Sequence, residues 1–361
     1  MNYFRPLDTL RTIAVTLVVI AHWSHWQVAS LLDFGSVGVN IFFVISGFLI
    51  TGILLNDRRR HENEPATRGS LMKNFYIRRT LRIFPVYYLL IFLCYFFLPD
   101  SPIRGHFGYY LTYTTNFMFF KNQHWDPMLA HLWSLSVEEQ FYLLWPWLII
   151  FVSRKNLLPV MTGFLALGVL SFYLFQLLFP GAQYISILTP TCFDAFSIGA
   201  LLAYFMQYDA AAGKKFIARL PWIGVIALGL YITFALLHFS MTPQRTLIAL
   251  TSAWIIWFTI TRTDSFVHRY FLNNRILVAI GKMSYGVYLY HNLVPWLVSF
   301  VKLTMKKHGI FIPLVNASVP SKYDPAWTIV QQVVALLLIS WISWKIIERP
   351  INNLKDRFAP R

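Results

Sequence analysis

Two ionisable residues stand eleven positions apart near the start of the chain, in a stretch that is otherwise apolar. Arg11 and His22 are three helical turns apart, so on an α-helix both side chains would point the same way with a rise of roughly 16 Å between them. A histidine in such a position can serve as a general base. The plainer interpretation is that Arg11 anchors the helix at a membrane surface and His22 is a hydrogen-bonded core residue.

Two adjacent carboxylates, Glu138 and Glu139, enter another apolar stretch. Neighbouring residues point about 100° apart on a helix, so only one of the two can face a given partner. Helix capping by Ser134 or Ser136, with the acids near a positive helix N-terminus, is the structural alternative. We predict that one of the carboxylates orients or electrostatically supports His22.

An arginine cluster precedes the third apolar stretch. Arg79 and Arg82 are one helical turn apart, and Arg78 is adjacent. Guanidinium groups at this spacing form a fork for phosphate oxygens, although membrane topology alone would account for any single arginine here. A base, supporting carboxylates and a phosphate site together predict the transfer of a group from a phosphorylated donor to a hydroxyl.

Other polar residues within apolar stretches are candidates for support. Asp194 is a lone acid for which we expect a cationic partner. Ser284, Tyr288 and His291 follow a spacing of i, i+4 and i+7, a polar stripe that interhelix hydrogen bonding explains as well as chemistry does. Cys94 lies in an apolar run without the spacing of a metal site, as does Cys192, and we predict no metal.

The elements that must position these residues are membrane helices. Of the 361 residues 57% are apolar and 13% charged, about half the charge density of a soluble protein, and the mean hydropathy of +0.53 excludes disorder and most cytosolic enzymes. We predict an all-α membrane bundle of about ten transmembrane helices in a single domain, residues 1–361. The apolar runs lie at roughly 10–29, 36–55, 83–98, 132–152, 157–178, 189–207, 221–239, 245–261, 277–300 and 326–347.

The net charge of +16 is interpreted as a topology signal. Eight Lys and Arg residues fall in the segment 56–82, which is predicted to be a loop and which the positive-inside rule places in the cytoplasm. Alternation of the spans then leaves all but seven of the 31 basic residues, and the entire excess charge, on that side, with both termini cytoplasmic. No basic soluble domain suggests nucleic acid binding. The aromatic-rich outer segment 99–130 is predicted to act as a lid.

Several segments in order resemble the acyltransferase 3 family of integral membrane acyltransferases over essentially the whole chain. The first-helix signature falls on Leu7–Val15 with the basic-x10-His pattern of Arg11 and His22, and the Arg-x-x-Arg pattern on Arg79 and Arg82. The remaining matches are Gly38–Ile50, the Ser-x-x-Glu-x-x-Tyr pattern of Ser136, Glu139 and Tyr142, Phe193–Gly199, Ser284–His291 and Glu348–Pro350.

The resemblance implies an enzyme of the bacterial cytoplasmic (inner) membrane. It would take an acyl group, usually acetyl, from cytoplasmic acetyl-coenzyme A and deliver it to a hydroxyl of a surface carbohydrate or glycolipid, such as lipopolysaccharide O-antigen or exopolysaccharide. The phosphates would rest on Arg79, Arg82 and Arg11, with Arg78 beside them, and the thioester would lie near His22. The supporting polar residues would be Ser136, Tyr142, Asp194, Ser284, Tyr288 and His291. The partners are the lipid bilayer, the acyl donor and the acceptor, with no permanently bound cofactor.

Alternatives remain open at this stage. The acyl group could pass directly to the acceptor or through an acyl-histidine, and the acceptor could be a small hydrophobic molecule such as a macrolide. Larger relatives carry a fused extracytoplasmic hydrolase-like domain, which we do not expect here. A ten-span transporter would also contain intramembrane acids and a histidine, but it would have no evident use for the arginine pair.

Overall fold

The computed structural model describes residues 4–24, 26–60, 67–98, 101, 103–239, 244–310 and 324–359, and within these ranges it contains helices and no strand. The predicted all-α membrane bundle is confirmed. The helices are α1 (Pro6–Trp23), α2 (Gln27–Leu31), α3 (Phe34–Arg60), α4 (Arg68–Phe97), α5 (Ile103–Leu111), α6 (Thr115–Asn122), α7 (Leu132–Phe151), α8 (Arg154–Leu178), α9 (Phe193–Gln207), α10 (Ala210–Leu236), α11 (Gln244–Thr261), α12 (Arg275–Lys282), α13 (Ser284–Tyr290), α14 (Leu293–Lys307), α15 (Asp324–Ser343), α16 (Arg349–Asn353) and α17 (Lys355–Phe358).

Five of the described helical stretches are long and apolar enough to cross a membrane by themselves: Phe34–Arg60, Arg68–Phe97, Arg154–Leu178, Gly213–Leu236 and Trp327–Phe358. The other predicted spans coincide with α1, α7, α9, α11 and the broken run α12 to α14. Helices α8 and α10 expose large apolar side chains such as Leu177 and Trp222 on the outside of the bundle, as helices that face lipid do.

The segment 56–82, predicted as a loop, is helical at residues 56–60 and 68–82, and residues 61–66 lie outside the described residues. Helix α3 continues to Arg60, and α4 begins at Arg68 after Thr67, whose side chain accepts a hydrogen bond from the Ser70 amide. No residue from Arg68 to Phe84 breaks a helix, and α4 also accommodates Pro85. The arginine cluster therefore sits on the helix that enters the membrane.

The ninth predicted span is also different, because it is divided into three helices. The helical hydrogen-bond pattern is interrupted at Met283, between α12 and α13, and at His291 and Asn292, between α13 and α14, although the last two residues keep right-handed helical dihedral angles. The break between α13 and α14 leaves backbone polar groups inside the bundle without partners in their own helices. Side chains and neighbouring helices supply hydrogen bonds to such groups. It also places His291 just beyond a helix end.

The aromatic-rich segment after α4 forms a helical layer that packs on the bundle. Tyr87 of α4 donates a hydrogen bond of 2.8 Å to the Tyr110 carbonyl, and Tyr88 donates one of 2.9 Å to the Leu111 carbonyl. Pro99, Asp100 and Pro102 of this segment lie outside the described residues. The layer covers α4, and its movement as a lid stays a prediction.

Helix α3 is the centre of the bundle and packs against α1, α7, α9 and α11. Its crossing with α9 brings the two backbones into contact: a Cβ on Gly47 would lie 2.1 Å from the Phe196 carbonyl oxygen, and one on Gly199 would lie 2.1 Å from the Val44 carbonyl oxygen. Small residues permit such close approach in membrane helices. The crossing fixes the position of the α3 face that carries Ser46.

Arginines at the end of α3 bind the last carbonyls of neighbouring helices. Arg58 donates to the carbonyls of Ile149 and Val152 at 2.7 Å each, and Arg59 donates to the Gln207 carbonyl at 3.0 Å. The last carbonyls of a helix have no partner within the helix and carry its negative dipole end. Basic residues that signal topology thus also cap α7 and α9.

The close crossing of α3 and α9 predicts that Gly47→Ala destabilises the protein by about 1–3 kcal/mol, because the added methyl meets backbone that cannot move aside. Thermal unfolding in detergent, followed by size-exclusion chromatography, measures the effect. Gly163→Ala is the matched control, since nothing lies within 4 Å of its Cβ position. Equal melting temperatures for the two variants would contradict the backbone contact.

Candidate active site

A cleft with about 780 Å³ of empty space lies between α1, α3, α4, α7 and α13. It brings together seven of the residues singled out from the sequence, which come from four of these helices. They are Arg11, Arg79, Arg82, Glu138, Tyr142, Ser284 and Tyr288. The helical spacings that selected these residues therefore predicted a real convergence.

The cleft is positively charged, because three guanidinium groups and one carboxylate line it. Arg11 donates a 2.6 Å hydrogen bond to the Asp8 carboxylate one turn earlier on α1. The Arg79 guanidinium carbon lies 5.1 Å from the centre of the Tyr142 ring. Among the described residues, neither Arg79 nor Arg82 has a hydrogen bond or ion pair with a side chain or carbonyl. Their donors are available to a ligand.

The Glu138 carboxylate is held by a short hydrogen-bond chain between α3 and α7. The Ser46 hydroxyl donates to Glu138 at 3.0 Å and accepts from the Tyr142 hydroxyl at 3.0 Å. Ser46 was not identified from the sequence as a functional residue, although a polar side chain in an apolar run was a signal. The chain holds one carboxyl group in the cleft that the arginines line.

Glu139 faces away from the cleft, as the 100° between adjacent residues requires. It is buried, does not line the cleft, and its Oε1 has no hydrogen-bond partner among the described residues. Neither Glu138 nor Glu139 forms a hydrogen bond or ion pair with His22 within the described part of the chain. The expected orienting contact with His22 is therefore not formed among the described residues: Glu138 accepts a hydrogen bond from Ser46 instead, and Glu139 is buried away from the cleft.

His22 lies at the other end of α1 from Arg11, with its side chain exposed. Its Nδ1 is 2.8 Å from the Val18 carbonyl oxygen. A carbonyl only accepts hydrogen bonds, so Nδ1 carries the proton and Nε2 is left with a free lone pair. The ring is thus held in the tautomer that can act as a base through Nε2.

A second histidine contacts His22 across the bundle. His291 is fully buried, and its ring centre lies 4.9 Å from that of His22 and 4.8 Å from that of His131. Its Nδ1 lies 2.6 Å from the Tyr288 carbonyl oxygen, while Nε2 has no partner among the described residues. The Tyr288 ring, 5.5 Å from that of His291, lines the cleft. A row of contacts therefore runs from the cleft to His22.

His131, at the start of α7, is the third histidine of this row and contacts His291. Its Nε2 lies 3.1 Å from the Leu289 carbonyl oxygen, and its Nδ1 lies 3.2 Å from the side-chain amide nitrogen of Asn292. Both ring nitrogens are therefore occupied. Sequence reasoning assigned no role to His131, although an ionisable residue entering an apolar run was a signal.

Three more of the predicted site residues, besides Glu139, lie away from the cleft and from His22. Arg78 donates a hydrogen bond to the Ala359 carbonyl, and the Ser136 hydroxyl lies 2.8 Å from that of Thr115. Asp194 accepts a 2.6 Å hydrogen bond from Thr246 in a second cleft, which Arg245 also lines. Side-chain direction on the helix separates Arg78 and Ser136 from their sequence neighbours in the cleft, whereas Asp194 lies on α9, no residue of which lines the cleft.

No cluster of three or more His, Cys, Asp or Glu side chains within the described residues could hold a metal ion. The polar residues of the cleft for which the sequence predicted no role in the reaction are Ser46, Ser134 and Tyr285. Of these, Ser134 shares a 2.6 Å hydrogen bond with the Tyr288 hydroxyl. It thereby ties α7 to α13 at the end of the cleft nearest His291.

Curated proteins similar to the chain are O-acetyltransferases of bacteria. The peptidoglycan O-acetyltransferase OatA of Listeria monocytogenes is 30% identical over 98% of this chain and 56% of its own length. The putative peptidoglycan O-acetyltransferase YrhL of Bacillus subtilis and the O-acetyltransferase OatA of Staphylococcus aureus are each 28% identical over 98% of the chain. The chain spans between 55% and 58% of the length of these relatives.

No solved structure matches the chain. The model of the acyltransferase 3 family, described as an acyltransferase domain, matches residues 5–345 and thus includes every residue of the cleft. The chain belongs to the acyltransferase 3 family.

Proposed function

We propose that this protein transfers an acetyl group from cytoplasmic acetyl-coenzyme A to a hydroxyl of a cell-surface carbohydrate. The observation that carries the proposal is the positively charged cleft. Its Arg79 and Arg82 have no hydrogen bond or ion pair within the described residues, and its Tyr288 contacts His291, which in turn contacts the exposed His22. Membership of an acyltransferase family and the O-acetyltransferase names of the relatives support the reaction type.

The donor site follows from the charge of the cleft. Coenzyme A carries several phosphate oxygens, and planar guanidinium groups bind such oxygens in a bidentate way. Arg82 is exposed and Arg79 is partly buried, so the pair offers one cation at the surface and one inside. Arg11 contributes a third cation that Asp8 holds in place. This arrangement suits an anionic head group with a neutral arm that continues inward.

The distance along α1 between Arg11 and His22 is similar to the length of that arm. Arg11 and His22 lie on one continuous helix, so roughly 16 Å of rise separates them. This rise is comparable with the extended reach of a pantetheine arm. With its phosphates at the arginines, acetyl-coenzyme A would bring its thioester toward Tyr288, His291 and His22.

His22 acts in this proposal as the general base. Its free Nε2 takes the proton of the acceptor hydroxyl as the oxygen attacks the thioester carbonyl and the carbon–sulfur bond breaks. Because His22 is exposed while the cleft residues beside Tyr288 are buried, the acceptor reaches the base from outside the bundle. A transient acyl-histidine remains the alternative, and radiolabel retained on the protein in the absence of acceptor would identify it.

The acceptor and the orientation are part of the same proposal. The relatives' names favour a cell-wall carbohydrate such as peptidoglycan over the lipopolysaccharide and exopolysaccharide expected at first. We place the protein in the bacterial cytoplasmic membrane with both termini in the cytoplasm, so that the arginine end of the cleft meets acetyl-coenzyme A. The basic residues that cap the inner helix ends support this orientation.

Arg79→Gln is expected to raise the KM for acetyl-coenzyme A by roughly 10–100-fold, the loss of one or two charge-assisted hydrogen bonds. Acetyl transfer by purified protein in nanodiscs, with radiolabelled donor, measures the change. Lys73→Gln is the matched control, because it removes one positive charge from the exposed face of the same helix. Equal KM values for the two variants would contradict the donor site.

His22→Ala is expected to lower acetyl transfer by roughly 10²–10⁴-fold, the usual contribution of a general base. The protein should remain inserted and should bind acetyl-coenzyme A as before. His124→Ala, which removes an exposed histidine outside the cleft, is the control and should keep full activity. Full transfer by the His22 variant would end the proposed mechanism.

A further inference from the structure

We propose that His291 is a proton relay residue that works with His22, a role that rests on the proposed function. It would receive the acceptor's proton from His22 and deliver it to the thiolate of coenzyme A. The observation behind the proposal is a pair of imidazoles in contact, one exposed and one fully buried. Within the described residues, Nε2 of the buried His291 has no hydrogen-bond partner, and the hydrogen bond of His22 is made by Nδ1.

The tautomers of both rings are fixed in the same way. Nδ1 of His22 donates to the Val18 carbonyl and Nδ1 of His291 donates to the Tyr288 carbonyl, so both Nε2 atoms are bare lone pairs. Two adjacent bases of this kind can share one proton between them. A buried imidazole nitrogen without a hydrogen bond, such as Nε2 of His291 among the described residues, is otherwise costly, because it has lost its water.

The reaction needs such a transfer to balance. The acceptor's O–H bond breaks and an oxygen–carbon bond forms, while the carbon–sulfur bond breaks and an S–H bond must form. The acceptor meets the exposed His22, whereas the donor lies in the cleft behind Tyr288. His291 contacts both His22 and Tyr288, so it lies between the group that gives up the proton and the group that must receive it.

The neighbours of His291 favour this role over a structural one. The titratable groups that face it are His22 on α1, His131 at the start of α7 and Tyr288 on α13, three residues before His291. His131 has both nitrogens occupied and therefore cannot take the proton without losing a hydrogen bond. Within this row of three histidines, His22 and His291 alone have a nitrogen free for transfer.

The test is His291→Asn, because the Asn amide can still donate to the Tyr288 carbonyl but cannot carry a proton. The expected result is a loss of acetyl transfer of roughly 10²-fold or more with an unchanged KM for acetyl-coenzyme A. His131→Gln, whose amide can still donate to the Leu289 carbonyl, is the matched control and should stay within a few fold of the parent. Adding His22→Ala to His291→Asn should cause little further loss, since the two act in one step.

Chemical rescue separates proton transfer from packing. His291→Gly should regain activity with added imidazole but not with 1,2,4-triazole, which has a similar shape and much lower basicity, and the pH profile of the rescued protein should follow the added base. Equal rescue by both compounds, or full activity of His291→Asn beside an inactive His22→Ala, would overturn the relay while leaving the proposed function intact. An active His22→Ala would instead remove the proposed function itself.

Discussion

The bilayer interior offers no water to an ionisable side chain, and the arrangement of this protein follows from that constraint. Each buried charge needs a partner from another residue or from a ligand. Arg11 has Asp8, and Glu138 has Ser46 with Tyr142 behind it. Arg79 is partly buried and contacts only the faces of the Phe75 and Tyr142 rings, and Arg82 is exposed; neither has a hydrogen bond or ion pair within the described residues. Those unsatisfied donors make the cleft a site for an anion.

Close helix packing makes this arrangement stable. Gly47 and Gly199 let α3 and α9 meet backbone to backbone, and the neighbouring Ser46 is thereby fixed against α7. In the ninth predicted span α13 ends at Tyr290, and His291, just beyond this helix end, packs against His22. Rigid elements thus hold both ends of the cleft, while lipid-facing helices such as α8 contribute apolar surface.

Much of the site could be predicted because helical spacing is a local property. The pairing of Arg79 with Arg82, and of Ser284 with Tyr288, follows from one turn of helix, and these residues do line the cleft. What could not be predicted depends on contacts between distant residues. Arg78 is held by the Ala359 carbonyl, 281 positions away, and His22 meets His291 only because α1 and α13 pack together. Neither contact leaves a local pattern.

We propose that one row of polar residues joins a donor site on the cytoplasmic face, the arginine cleft, to a base on the outer face, His22. Proteoliposomes in which the protein has a single orientation test it most directly, with labelled acetyl-coenzyme A on one side of the membrane and carbohydrate acceptor on the other. We predict acetylated acceptor when the donor is on the side of the arginine cleft, and none when donor and acceptor are exchanged. Transfer that requires both substrates on the same side would contradict it.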